Sequence, residues 1–154
     1  MATFSAQNLG SGHLERVRQG VRSAVLLCIL FSAIALALIF LFGRQLALLF
    51  IDQSEQQVIG QTVQYLHIIS YFFIPLGLIF VFRNTSQGLG SGLIPMLSSI
   101  QELIFRALVA LTLPPVLGYV GICLSSPIAW MAAALLLLAA YKLQYRRISR
   151  LLKQ

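Results

Sequence analysis

An acid and a base lie four residues apart in a long apolar stretch of the sequence. Glu102 and Arg106 both fall within residues 93–113. At this spacing two helical side chains share a face, and the acid precedes the base, which is the favourable order. Because a single charge at mid-membrane costs about 3 kcal/mol, we expect the two to pair or to face a water-filled cavity. The pair could belong to a substrate path or gate, or it could clamp two helices together, and we favour the clamp.

His67 is the second candidate for chemistry. Histidine side chains ordinarily titrate near physiological pH, so His67 could relay protons, and Gln64 shares its helical face. We favour the alternative, a hydrogen-bonded packing histidine. In the same stretch Pro75 and Gly77 predict a kink, which could serve as a hinge or only shape the packing. The sequence leaves both of these questions open.

No catalytic or metal-binding group can be assembled from the remaining residues. The chain has two histidines, two cysteines and four acids, and they are scattered along its length. Gly88, Gly90 and Gly92 follow a GxGxG pattern without the lysine of a phosphate-binding loop, and they connect two apolar stretches. We therefore expect no enzyme activity, no bound metal and no cofactor.

The elements that carry these residues are predicted to be membrane spans. Of the 154 residues 58% are hydrophobic and only 10% are charged, which leaves too few polar side chains to cover a soluble domain. Uncharged runs long enough to cross a bilayer predict an all-α membrane protein rather than a soluble bundle or a barrel of alternating strands. The four predicted transmembrane helices cover approximately residues 23–43, 63–82, 93–113 and 122–141.

The two ends of the chain are predicted to lie in the cytoplasm. Residues 1–22 are interpreted as a loop and an interfacial helix, with Leu14, Val17 and Val21 on one face. Residues 142–154 form a basic tail.

The net charge of +7 comes from cations at the edges of the apolar runs, which indicates a membrane surface and no nucleic-acid partner. Lysine and arginine accumulate in cytoplasmic loops, and the predicted spans put a large excess on the side of the termini. We therefore expect a multi-pass protein of the plasma membrane with both termini cytoplasmic. The cations on that side are Arg16, Arg18, Arg22, Arg83, Lys142, Arg146, Arg147, Arg150 and Lys153, whereas Arg44 alone lies on the other side and Arg106 lies within a span.

A short glycine-rich segment occurs twice. Residues 7–12 (QNLGSG) recur as residues 87–92 (QGLGSG), identical at five of six positions, and each copy precedes a predicted span. Internal repeats are common in secondary transporters, where related bundles move against one another.

Four segments in order resemble the C-terminal part of multidrug and toxic compound extrusion (MATE) transporters, and the resemblance covers nearly the whole chain. They are QNLGSGHLERVRQGVR, LFGRQLALLFI, YLHIISYFFIPLGLIFVFRNTSQGLGSGLIPMLSSIQELIFR and LTLPPVLGYVGICLSSPIAW.

The resemblance implies part of a twelve-helix, two-lobe transporter that exports organic cations in exchange for Na⁺ or H⁺. The chain would be a C-terminal fragment supplying the last four helices, with the lipid bilayer and the remaining transporter helices as partners. Family members couple transport to membrane-embedded carboxylates, and residues 74–82, which match one such helix, contain none. The resemblance therefore implies that the coupling ion binds outside this chain.

Two alternatives remain open. The chain could belong to a related flippase of lipid-linked oligosaccharides, but the larger anionic substrate favours a cavity lined with several cations, and only Arg106 is predicted within a span. The chain could also be a four-helix membrane module that does not transport.

Overall fold

Seven helices make up the fold in the computed structural model, which describes residues 1–152. The described residues are helical apart from short connections, so the predicted all-α fold is confirmed. The helices are α1 (Ala2–Gly10), α2 (Leu14–Leu48), α3 (Gln56–Ser70), α4 (Phe73–Gly88), α5 (Leu93–Thr112), α6 (Pro114–Leu117) and α7 (Tyr119–Leu151).

Three of these helices are long and apolar enough to cross a membrane by themselves. They are α2, α5 and α7, and the bent pair of α3 and α4 gives a fourth candidate span. Helix α5 differs from the predicted residues 93–113 by one residue at its end. The sharp stop follows from Pro114 and Pro115, and one further turn of helix, α6, precedes Gly118 at φ 56°.

Helix α2 is longer than the span predicted from the sequence. It begins at Leu14, so the interfacial helix expected within residues 1–22 is not a separate element but the first turns of α2. Leu14, Val17 and Val21 do share a face, and all three are buried against the other helices. Because other helices of the chain already cover this face, residues 14–22 continue the axis of α2 and do not form a separate helix on the membrane surface.

Helix α7 is also longer than predicted. The segment from residue 142 continues the helix to Leu151, and no glycine or proline after Pro127 interrupts it. Lys153 and the end of the predicted tail lie outside the described residues.

Helices α3 and α4 meet at a bend of 51°. The break falls at Tyr71 and Phe72, and Pro75 lies in the first turn of α4. A proline ring clashes with the carbonyl group four residues earlier, which here belongs to Tyr71. The bend therefore lies just before the proline that causes it.

The helices alternate in direction, which gives the molecule two ends. The glycine-turn end comprises α1, residues 11–13, residues 89–92 and the adjoining ends of α2, α4 and α7, where Tyr145 donates a hydrogen bond to Glu15 over 3.0 Å. The Asp52 end comprises residues 49–55, α6 and the adjoining ends of α2, α3 and α7, where Tyr119 bonds the Gln61 carbonyl over 3.0 Å. The main hydrophobic cluster lies toward the glycine-turn end and includes Val17, Val21, Ile79, Phe82, Leu89 and Leu137.

The repeated glycine segment forms the same kind of turn twice. Gly12 and Gly90 both adopt the left-handed conformation, with φ of 76° and 86°. In the aligned repeats Gly12 corresponds to Gly92, so the two turns are two residues out of register. In both, an N–H bonds a carbonyl five residues earlier, as in a Schellman helix end. These bonds run from His13 to Asn8 and from Ser91 to Ser86, at 2.8 and 3.1 Å.

Candidate functional site

An ion cluster joins α4 to α5. Glu102 accepts a hydrogen bond from Arg106 Nη2 at 2.7 Å through one carboxylate oxygen, and from Arg83 Nη2 at 3.2 Å through the other. Arg83 Nη2 also lies 3.3 Å from Ser98 Oγ. We call Arg83, Ser98, Glu102 and Arg106 the Glu102 cluster. The predicted pair on α5 is present, and a second arginine makes it a contact between two helices.

Charge and burial define what the Glu102 cluster can do. The side chain of Glu102 is 19% exposed, that of Arg83 is 26% exposed and that of Arg106 is 46% exposed. Two cations surround one anion, and each carboxylate oxygen already accepts from a guanidinium group. The arrangement suits a clamp between α4 and α5, because Glu102 can bind another cation only if one of these contacts opens.

Arg83 is the residue that sequence reasoning missed at this site. Its position between two apolar runs predicts a site at the cytoplasmic edge, and the structure places it at the contact of α4 with α5, where its Nε is buried without a hydrogen-bond partner among the described residues. At 1.5 Å per residue, Arg83 lies about 7.5 Å from the end of α4 and Glu102 about 13.5 Å from the start of α5. Because a short turn joins the two helices, a long arginine side chain can cover that difference. The spacing therefore permits the contact, but it does not by itself predict it.

His67 lies in an aromatic environment between α3 and α2. Its ring stacks on Phe40, with centroids 4.3 Å apart and an interplanar angle of 6°. Tyr71 packs edge-on against Phe40, and the His67 ring also lies next to Gly43 of α2. Within residues 1–152 the imidazole has no hydrogen-bond partner. The contacts are those of a packing side chain, and a proton relay through His67 stays a prediction.

The other predicted residues are separate from the Glu102 cluster. Gln64 is exposed on α3. No hydrogen bond or ion pair in the described part of the chain connects Gln64 or His67 with Glu102. Gly77 lies directly against the Cys28 side chain of α2, so a Cβ atom at this position would displace the Cys28 sulfur. Pro75 and Gly77 therefore shape the bend and the packing of α4, and their role as a hinge stays a prediction.

A side chain of α7 caps the end of α4. Gln144 Nε2 donates to the carbonyl groups of Ser86 and Leu89, over 3.3 and 3.2 Å. These carbonyls lie at the end of α4, beyond the last N–H groups of the helix, and the Ser86 carbonyl also accepts from the Ser91 N–H of the turn. Nothing in the local sequence of either helix predicts this contact, because the residues are more than 50 positions apart.

The candidate spans define a multi-pass helical membrane protein, and the Glu102 cluster lies at the contact of two of these spans. A sequence model of the MatE family matches residues 1–112, which include α1 to α5 and the whole Glu102 cluster. The chain therefore belongs to the MatE family, whose members are transporters and not enzymes. The resemblance drawn from the sequence is confirmed. No curated protein and no solved structure matches the chain.

Proposed function

We propose that this chain contributes its helices to a cation-coupled multidrug antiporter, which exports organic cations in exchange for Na⁺ or H⁺. Membership of the MatE family supports a role in transport. The observation that supports the proposal concerns Glu102, because both of its carboxylate oxygens contact arginines.

The contacts of Glu102 help to infer where the coupling ion binds. The chain has four acids. Asp52 and Glu55 lie in the connection between α2 and α3, and Glu15 contacts Arg18 and Tyr145. With Glu102 held by two cations, no free carboxylate remains in the spans of the described residues. We infer that the coupling ion binds to other transporter helices and that the Glu102 cluster holds α4 against α5 during transport.

We further propose that the protein resides in the plasma membrane with the glycine-turn end in the cytoplasm. Arg18, Arg22, Lys142 and Arg146 gather at that end, whereas Arg44 lies at the Asp52 end and bonds Gln56 over 3.1 Å. Such an excess of cations favours the cytoplasmic face.

Substrate charge favours drug export over the flipping of anionic lipid-linked sugars. Arg83 and Arg106 are the two cations at the contact of α4 with α5, and both contact Glu102 instead of standing free. One observation supports the non-transporting module as a second candidate: α2, α4 and α7 share a hydrophobic cluster of their own, and Ile94 of α5 packs against it. Purification in mild detergent separates the two candidates, since a module would be stable alone and an exporter would co-purify with further helices.

The transport proposal can be tested by drug resistance in an efflux-deficient bacterial strain. The complete transporter carrying Glu102→Gln should confer lower resistance to organic cations at an unchanged expression level. Glu55→Gln, an exposed acid outside the spans, serves as the matched control and should leave resistance unchanged. Equal resistance of the Glu102 variant and the wild type at equal expression would exclude a role for that carboxylate.

Coupling can be measured on the wild-type transporter in proteoliposomes. Movement of a fluorescent organic cation should accelerate when a Na⁺ or H⁺ gradient is imposed in the opposite direction. No response to either gradient would contradict the antiport mechanism.

A further inference from the structure

An open groove of about 720 Å³ runs between α2 and α7 at the glycine-turn end. Each rim carries two cations, Arg18 and Arg22 on α2 and Lys142 and Arg146 on α7. The floor between the rims is apolar or aromatic. It consists of Val21, Val25, Leu26, Phe82, Leu138 and Tyr141.

The cations of this groove carry an uncompensated positive charge. Arg18 contacts Glu15 at 3.5 Å, and both of these side chains are about half exposed. Within residues 1–152 no acid forms an ion pair with Arg22, Lys142 or Arg146. Because opposite rims face each other across an apolar floor, the groove suits a ligand that has both an anionic group and hydrocarbon.

The position of the groove indicates where that ligand comes from. Arg22 is the last charged residue before the apolar run of α2, and Lys142 is the first after the apolar run of α7. Both therefore lie at headgroup depth, and Val25 and Leu138 lie one helical turn deeper, toward the hydrocarbon. Tyr141 at the same boundary is a residue type typical of the membrane interface. A bilayer lipid meets both chemical requirements at these depths.

We propose that the α2–α7 groove binds one anionic phospholipid. Its phosphate lies between the arginines of α2 and the cations of α7, and an acyl chain follows the floor past Val25 and Leu138. Basic pockets between transmembrane helices are suited to such headgroups. A further transporter helix in this groove would have to bring several acids with it, because it would otherwise leave Arg22, Lys142 and Arg146 buried without counter-charges. The site depends on the membrane location of the chain and not on the transported substrate.

Lipid binding can be measured by native mass spectrometry on the delipidated protein, purified with whatever helices remain associated. The probes are phosphatidylglycerol and phosphatidylcholine with identical acyl chains, and inorganic phosphate as a competitor. We expect phosphatidylglycerol to bind about tenfold or more tightly than phosphatidylcholine, since each headgroup-level cation contributes to the preference. Phosphate at millimolar concentration should not displace it. Equal binding of the two lipids would overturn the proposal, and so would displacement by phosphate, which would indicate an anion site without lipid specificity.

The site is tested by removing one cation from each rim. Arg22→Gln combined with Lys142→Gln should lower the affinity for phosphatidylglycerol about tenfold or more and leave that for phosphatidylcholine unchanged. The matched control removes the same charge from the same end of α7, outside this groove, with Arg147→Gln and Arg150→Gln. An equal loss in the control would mean that general charge attraction, and not the groove, holds the lipid. Both Arg22 and Lys142 are exposed, so the variant should fold, and its elution volume and helical circular dichroism check this.

Discussion

The two ends of the molecule differ in how the chain packs on itself. At the glycine-turn end the side chains of Val17, Ile79, Thr85 and Leu137 are almost completely buried. By contrast, Leu49, Phe50 and Val116 at the Asp52 end are more than two-thirds exposed, and so is Leu41 in the apolar part of α2. The glycine-turn end is therefore held together by contacts within this chain, whereas much of α2 depends on lipid or on other helices for its apolar surroundings.

Small residues make the close packing of the glycine-turn end possible. Gly88 lets α1 lie directly on α4, since a Cβ atom at this position would lie 2.8 Å from Ser5 Cβ. Polar contacts such as the Gln144 bonds to α4 add to this packing. The comparison predicts that equivalent changes cost more at the glycine-turn end than at the Asp52 end.

The largest effect is expected for Gly88→Leu. The new side chain would collide with Ser5 and with the backbone of Ala2, so α1 has to leave α4. We expect a loss of about 3 kcal/mol in stability, at the upper end of typical overpacking costs. Thermal unfolding in detergent measures this loss. Gly60→Leu is the matched control, because nothing lies within 4 Å of a Cβ at Gly60. Similar melting temperatures for the two variants would contradict the comparison.

A smaller loss is expected when the Glu102 cluster is opened. Glu102→Leu leaves two arginines without their carboxylate, and we expect a cost of about 1–2 kcal/mol, below that of a fully buried pair because the side chains are partly exposed. One double-mutant cycle with Arg83→Leu and another with Arg106→Leu measure the interaction energy of each arginine with Glu102. Arg83 should show the larger coupling, since it is less exposed than Arg106. A larger coupling for Arg106 would mean that the cluster acts within α5 and does not clamp α4.

Single hydrogen bonds provide a direct comparison of the two ends. Gln144→Leu removes two bonds at the partly buried end of α4, and we expect a loss of about 1–2 kcal/mol. Tyr119→Phe removes one exposed bond to Gln61 at the Asp52 end and should cost about 0.5 kcal/mol. Chemical denaturation in mixed micelles measures both values. The reverse order would refute the proposed difference between the ends.

The smallest effect concerns the connection at the Asp52 end. Hydrogen bonds from the Ser54 backbone N–H and hydroxyl lower the pKa of Asp52 below its ordinary value of 3.8. A lowered pKa stabilises the folded loop above pH 3.8, and this contribution disappears as the pH falls through the folded-state pKa. Asp52→Asn should therefore lower the melting temperature slightly at pH 6 and not at strongly acidic pH. A difference that does not depend on pH would exclude the carboxylate as its cause.

Local features of this fold could be predicted from the sequence. Long uncharged runs predicted the spans, and the i,i+4 spacing predicted the contact of Glu102 with Arg106. Pro75 predicted the bend before α4. Each of these depends on residues within one or two helical turns of each other.

Features that depend on packing between helices could not be predicted in the same way. The contact of Arg83 with Glu102 requires the relative depth of α4 and α5, and the Gln144 cap requires the position of α7. The extension of α2 to Leu14 depends on partners for Leu14, Val17 and Val21 that only the folded chain provides. Both copies of the glycine segment form turns, but the residue that takes the left-handed conformation differs because α4 ends at Gly88.

Hydrogen–deuterium exchange of the protein in lipid nanodiscs tests the difference between the two ends most directly. Both ends lie near the membrane surface, so lipid burial alone should protect them equally. The account predicts slower exchange in the first turns of α2 and the last turns of α4 than in α6 and the first turn of α3. Equal exchange at both ends, or faster exchange at the glycine-turn end, would contradict it.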